Sequence, residues 1–387
     1  MLTLALFVAA LTGCLYAYAG YPLLLLVRSR LRPRPVLQGR PDVSVSVIVA
    51  AHNEASIIEE KIRNTLSLDH APDRLELIVA SDGSTDGTDA IVEHVADERV
   101  RLLGLPRAGK INALNRAALE AHGDILVFTD ANVMLDPAAV RHLVRNFADP
   151  DVGGVCGEKH LRGAAGGDAT GRGEGLYGRY DRWVKRLESR GGSVYAADGC
   201  MYAIRRDSFE PVRHLWQADD IAISARVILR GLRLVYEPAA VCYEEAPADG
   251  VAELRRKARV ANHTTRAVLN LWRELPQAGF WAVQLVSHKL VRYMVPVWLI
   301  LLLGCNLPLA NGSPLFAAIL VAQVMFYALA LAGWLFRSSV PGQTRLLSVP
   351  YFFTLVNAAA LMGLVGVLRG QRHATWAPRG GAALRTT

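Results

Sequence analysis

An apolar run, Asp124-Ile-Leu-Val-Phe-Thr-Asp-Ala-Asn132, closes on a carboxylate, and two more carboxylates stand far downstream in Gln217-Ala-Asp-Asp-Ile221. A buried strand that ends at Asp130 sets that side chain at the rim of a sheet, where open α/β sheets bind ligands. Asp130, with the neutral oxygen donor Asn132, suits a hard divalent cation, Mg2+ or Mn2+, shared with the phosphate oxygens of a ligand. The remote pair offers something else. Neighbouring side chains in an extended chain point apart, so Asp219 and Asp220 do not form a facing glycosidase pair. One can act as a base while the other caps a helix or binds a basic group. A metal–diphosphate contact plus a distant proton acceptor is what sugar transfer from a nucleotide donor requires.

Other polar residues gather at element ends. Ala50-Ala-His-Asn-Glu54 closes one β-branched run, and Ser81-Asp-Gly-Ser84 follows a second. Glycine there allows a tight turn, and Asp82 can accept hydrogen bonds from a ribose or base edge, although Asp-Gly-Ser is also plain turn chemistry. Lys110 opens a helix after Gly109, and a cation at a helix N-terminus suits a diphosphate. His52 is given no role.

The elements that must position these residues alternate. Strand patterns at 43–50, 75–80, 100–105 and 124–128 are interleaved with helical spacing at 53–67, 88–95 and 110–121, which argues a parallel α/β sheet. Ile221 to Ile228 reads as a helix, so helix capping competes for both downstream carboxylates. The segment Gly163–Gly175 reads as a glycine-rich loop.

Apolar residues make up 52% of the 387-residue chain and concentrate at its two ends. Residues 2–27 form an uncharged apolar run long enough to span a bilayer. Arg28, Arg30, Arg32 and Arg34 follow it, placing the downstream side in the cytoplasm. Spans are expected near 290–310, 314–336 and 346–368. The last contains Pro350 and Asn357, and a basic tail at 369–387 follows it, so a span and a re-entrant or interfacial helix both stay open. Residues 252–273 and 278–289 read as basic amphipathic helices, the second lying in the headgroup region with Phe280, Trp281 and Leu285 inward and His288 and Lys289 facing water. The segmentation is therefore an N-terminal span 1–27, a linker 28–42, a globular domain 43–273, an interfacial helix 274–289, a membrane region 290–368 and the tail. The net charge of +8 lies largely beside the apolar ends, which suits an anionic membrane face rather than nucleic acid. The five cysteines form no Cys-x-x-Cys pair, so neither a disulfide framework nor a zinc site is expected, and free thiols fit a reducing cytosol.

In this order, Val47-Ile-Val-Ala-Ala-His-Asn-Glu54, Ser81-Asp-Gly-Ser-Thr-Asp86, Gly109-Lys-Ile-Asn-Ala-Leu-Asn115, Thr129-Asp-Ala-Asn132, Ala197-Asp-Gly-Cys-Met-Tyr-Ala-Ile-Arg-Arg206, Asp219-Asp220 and Arg256-Lys-Ala-Arg259 resemble the family 2 inverting glycosyltransferases, in the cellulose-synthase-like membrane branch. Gly370-Gln-Arg-His-Ala-Thr-Trp376 is similar to the tails of such enzymes. The resemblance implies an α/β GT-A fold, the Rossmann-like fold of nucleotide-diphospho-sugar transferases, with flanking transmembrane helices. It implies a donor site at Ala51, Asn53, Glu54, Asp82, Gly83, Lys110 and Asp130, with Glu54 and Asp82 at the nucleoside and Lys110 near the phosphates. It places the divalent cation at Asp130 and Asn132, an acceptor pocket at Asp198, Gly199 and Cys200, phosphate or gating contacts at Arg256 and Arg259, and the general base at Asp220 beside Asp219.

Two positions depart from the family pattern. Asp-x-Asp reads Asp-Ala-Asn, and Gln-x-x-Arg-Trp reads Arg256-Lys-Ala-Arg-Val260. Without that Gln and Trp, single or few-step transfer stands on at least equal terms with long-chain synthesis. The expected partners are a nucleotide-sugar donor with a UDP leaving group, a saccharide or lipid-linked acceptor, the lipid bilayer and a polysaccharide-export partner, at a bacterial-type inner membrane with the catalytic domain cytoplasmic. A non-catalytic nucleotide-sugar-binding scaffold and a nucleotidyltransferase are the alternatives.

Overall fold

The computed structural model describes residues 1–162, 169–245, 250–337, 339, 342 and 344–371. The tail residues Arg372 and Arg379, most of the 370–376 motif and residues 163–168 of the glycine-rich loop lie outside these. The chain forms two compact units. Residues 34–161 and 192–245 build one around a sheet. Residues 1–33, 162–191 and 246–371 build the other from helices. This differs from a single block over 43–273, because the Ala169–Gly191 and Gly250–Asn270 helices find their packing partners among the membrane-type helices.

The sheet has eight strands: β1 (Val45–Ala51), β2 (Leu75–Asp82), β3 (Val100–Leu105), β4 (Ile125–Asp130), β5 (Val133–Leu135), β6 (Val152–Arg162), β7 (Met201–Arg205) and β8 (Arg233–Glu245), in the order β3-β2-β1-β4-β7-β6-β8-β5. The first four strands in this order are parallel, and β7 pairs antiparallel to β4. Every residue of β1 is buried, as expected for a central parallel strand covered on both faces. One face packs Ile58 and Ile62 against Val47 and Val127, and the other packs Ile111 and Leu114 against Ile48 and Phe128. The strand order reverses at the β1–β4 pair, where Ala50 sits level with Asp130. The crevice beyond the carboxyl ends of such strands is where these sheets take ligands.

The first helix begins later than its periodicity predicts. It spans Ile58–Leu66 rather than starting near Asn53. Asn53 has φ 55°, a left-handed conformation that Asn tolerates better than most residues and that keeps Asn53 itself out of a right-handed helix.

In the helical unit, the helices Leu2–Leu31, Phe280–Ala310, Pro314–Leu335 and Arg345–Leu368 are long and apolar enough to cross a membrane. The separate interfacial helix expected at 274–289 is not found. Phe280 starts a helix that runs through a π-turn at Val286–Val291 into Ala310. His288 does not face water: it is 3% exposed, and its Nδ1 lies 2.9 Å from Glu188 on the Ala169–Gly191 helix. Carboxylates on a neighbouring helix, invisible to periodicity, draw it inward. Arg345–Leu368 continues through Pro350 without a break. The Gly250–Asn270 helix packs directly on it; a Cβ at Gly363 would stand 2.6 Å from the Ala261 Cβ. Residues 169–175, expected as loop, open a helix.

Candidate active site

β1, β2 and β4 end on one rim, with Ala51 level with Ser81 and Ala50 level with Asp130. Ala51 is fully buried and supplies backbone only. Asn53 ties two of these ends together. Its Oδ1 accepts the Thr85 N–H at 2.8 Å, and its own N–H donates to Ser84 Oγ at 3.2 Å. The Glu54 N–H donates to Thr88 Oγ1 at 2.9 Å, and its side chain is 7% exposed. Gly83 turns at φ 65°, where a Cβ would meet the Arg107 backbone at 2.9 Å. His52 is a satisfied turn residue, its Nδ1 2.9 Å from the Asp82 carbonyl.

Asp82 has a different occupation from the nucleoside contact expected of it. It is fully buried, and its Oδ1 accepts the N–H groups of Ala108 and Gly109 at 2.7 and 2.9 Å. Arg107 Nη1 donates to its Oδ2 at 2.8 Å. These bonds fix the loop that delivers Lys110, which opens the Lys110–Glu120 helix. The Lys110 ammonium then bridges two carboxylates, Asp130 Oδ1 at 2.8 Å and Asp219 Oδ2 at 3.1 Å. Burial works against its charge, but Asp130 and Asp219 together outweigh burial and hold the group protonated well beyond the ordinary lysine range.

Asp219 and Asp220 form the first turn of the Asp219–Leu229 helix rather than an extended pair. Asp219 turns to Lys110. Asp220 turns to the β7 approach: a Cβ at Gly199 would lie 3.6 Å from its Oδ2. A helix start suits both carboxylates, because unsatisfied N–H groups favour negative charge there, and the Ile221 N–H donates to Asp220 Oδ1 at 2.8 Å. Burial, then the charges of Asp219 and Asp198, push the Asp220 carboxyl up to about 7, against the pull of that N–H and of Lys110. A carboxylate raised this far is a stronger base and is about half ionised at neutrality. The acceptor residues expected from the sequence form the loop it faces. Asp198 Oδ1 accepts the Cys200 N–H at 3.3 Å, and the buried Cys200 thiol donates to Glu244 Oε2 at 3.7 Å.

For a divalent cation the protein offers Asp130, one oxygen of which already holds Lys110, and Asn132 in the turn after β4. Among the described residues no three His, Cys, Asp or Glu side chains converge on a metal site. The donor set therefore fits a cation that takes most of its ligands from phosphates and water, as magnesium does. Arg256 and Arg259 lie on the Gly250–Asn270 helix of the other unit. Arg256 donates to the buried Glu253 at 2.7 and 2.6 Å, and Arg259 is half-buried.

Three further residues serve this rim in roles that the sequence did not assign. Arg107 and Thr129 are held by Asp82 and by the Cys200 carbonyl, the latter at 2.8 Å. Lys61 is fully buried, donating to Thr129 Oγ1 at 3.2 Å and to the Val133 carbonyl. A lysine on the face shared by Ile58, Ile62 and Thr65 was its one available clue.

The mixed sheet, whose strand order reverses at β1–β4 and whose rim carries carboxylates and a lysine, has a GT-A-like α/β fold. Residues 46–213 match Glycosyl transferase family 2. The poly-beta-1,6-N-acetyl-D-glucosamine synthase of Staphylococcus aureus (strain COL) is 28% identical over 225 residues, 54% of this chain and 53% of that protein. The Staphylococcus epidermidis protein of the same name is 26% identical over 211 residues, 52% and 50% respectively. The chain thus spans about half the length of the curated relatives it matches. The mannosyltransferase PcManGT from Pyrobaculum calidifontis, solved in complex with GDP-Man and Mn2+, is 26% identical and matches 95% of this chain and 100% of that one with a TM-score of 0.71. Residues 46–213 are thus similar to a family 2 glycosyltransferase domain, the sheet has a GT-A-like α/β fold, and about half of the chain is similar to a polysaccharide synthase.

Proposed function

We propose that this protein is a multi-pass membrane glycosyltransferase that transfers a sugar, with inversion, from a nucleoside-diphosphate donor to a saccharide or lipid-linked acceptor at the cytoplasmic face, in cell-surface polysaccharide synthesis. One observation supports this most: two adjacent carboxylates are divided, Asp219 to the Lys110–Asp130 bridge and Asp220 to the Gly199 loop. A leaving group needs compensating charge and an acceptor needs a base, and this arrangement separates the two tasks. In the proposed mechanism Asp220 takes the proton of the acceptor hydroxyl as its oxygen attacks the anomeric carbon opposite the departing diphosphate. Lys110, kept protonated by Asp130 and Asp219, stabilises the charge that grows on that diphosphate. A divalent cation at Asp130, with Asn132 beside it, would add electrophilic charge at the same phosphates.

The resemblance favours UDP-linked donors, and the GDP-Man in the mannosyltransferase structure adds GDP-mannose to the candidates. Detergent-purified protein should therefore be offered UDP- and GDP-sugars with saccharide and lipid-linked acceptors, reading nucleoside diphosphate release. Asp220→Asn should lower transfer roughly 100- to 10,000-fold, the usual contribution of a positioned base, with donor binding retained. Wild-type turnover in that variant would refute the assignment.

A further inference from the structure

The helical unit holds a cavity of about 230 Å3, and its lining includes Tyr18, Tyr177, Tyr180, Phe352, Val349 and Arg292. Its walls come from the Leu2–Leu31, Phe280–Ala310 and Arg345–Leu368 helices and from the Ala169–Gly191 helix. The surface is almost wholly apolar apart from the tyrosine hydroxyls, Asn357 and Arg292.

Arg292 is the anomaly. Its side chain is 11% exposed, and its nearest carboxylate contact, Asp181, is 3.9 Å away, too far for a hydrogen bond. The Asp181 carboxylate is already engaged, 3.3 Å from His288 and 3.4 Å from Lys185. The guanidinium instead rests over the rings of Tyr177, Tyr180 and Tyr18, at 4.6, 5.4 and 5.7 Å. Ring faces attract a cation but, among the described residues, leave the planar fork of N–H donors without the oxygen acceptors that buried charge requires. That fork matches the geometry of phosphate. Arg292 lies in a helix long and apolar enough to cross a membrane, and an ionisable residue in such a helix points to a functional site. Val349 lines the cavity yet is 40% exposed, so the cavity reaches the outer surface of the helical unit. Its volume falls below the usual range of about 300–1,000 Å3 for small-molecule pockets, which suits the end of one chain rather than two.

We propose that this cavity binds a single-chain lipid phosphate drawn from the bilayer, its hydrocarbon against Phe352 and Val349 and its phosphate on Arg292. The site goes beyond the transfer reaction and does not depend on it.

The test is equilibrium binding of radiolabelled farnesyl phosphate to the full-length protein in detergent, with farnesol, inorganic phosphate and phosphatidylglycerol as competitors. Saturable binding is expected, with each competitor at least about tenfold weaker, the scale of one lost charge-assisted contact or its apolar counterpart. Val349→Trp, which fills an exposed part of the wall, should weaken binding by a similar factor while thermal stability and nucleoside diphosphate release stay unchanged. Arg292→Gln, if it folds, should bind farnesyl phosphate and farnesol equally. Wild-type affinity in Val349→Trp, or farnesol or phosphatidylglycerol competing as well as farnesyl phosphate, would overturn the proposal. A failure here leaves donor turnover intact, so it is distinguishable from a failure of the proposed transfer reaction.

Discussion

Asp219 and Asp220 differ by one position and by one cation. Lys110 neutralises the first, while the second stays buried beside negative neighbours and is pushed up to about 7. The consequence for pH has a definite sign. Below this value Asp220 is protonated and cannot accept the acceptor's proton, so kcat/KM should rise with pH, pass its half-maximum near 7 and level off above it. A rate profile flat from about pH 5 to 8 would contradict the base assignment. Asp219→Asn removes the nearest repelling charge, so the half-point should move to lower pH, read from the same profile. Asp130, Lys110 and Asp220 could be picked out from the sequence because each stands at the end or start of a periodic segment. Asp82 could be found but not its orientation, because its partners are backbone N–H groups of a loop that only tertiary folding brings near. Thr129 and Arg107 stand in the motifs around Asp130 and Lys110, but their roles were not legible, since their bonds run to groups distant in the chain.

At the level of elements, the turn between β4 and β5 is held from beneath by a lysine. Lys61 reaches from the Ile58–Leu66 helix to both sides of that turn, to Thr129 and to the Val133 carbonyl. Burial lowers its ammonium from the usual 10.5 to about 7, despite the opposing pull of Cys242 and Asp130. A lysine whose folded value is depressed imposes a cost that is fully present below about pH 7 and is relieved as pH rises toward its unfolded value. Unfolding stability should therefore climb between about pH 7 and 10, and Lys61→Met should flatten that climb, as chemical denaturation across the range would show. An unchanged slope would mean that the group is already neutral or well paired. The parallel strands were readable because β-branched runs alternate with helical spacing. The start of the first helix was misjudged because one left-handed residue, Asn53, overrides the periodicity that follows it. The 280–289 segment was misread for a related reason: its amphipathic pattern is real, but the polar side meets buried carboxylates instead of water.

For the whole molecule, composition alone located the apolar helices, since about twenty apolar residues reach across a bilayer. The proposed orientation predicts that a cysteine at Asn311, in the short turn after Ala310, reacts with an impermeant maleimide in intact cells. A cysteine at the exposed Arg63 should react only after permeabilisation. The native thiols give a low background, because four of the five are buried and Cys14 is half-buried within an apolar helix. The reverse labelling pattern would invert the topology. What composition did not reveal is that each unit is assembled from separated stretches, since the assignment of 162–191 depends on which surface that helix packs against. The sheet is interrupted after residue 161 and resumed at 192, and the intervening helix belongs to the other unit. Neither half can therefore be excised as a cassette. A fragment trimmed to the sheet alone would carry an orphaned helix, with Tyr180, Val184 and Leu187 stripped of their cover, and recombination that swaps one half between relatives must match the chain at four crossings at once.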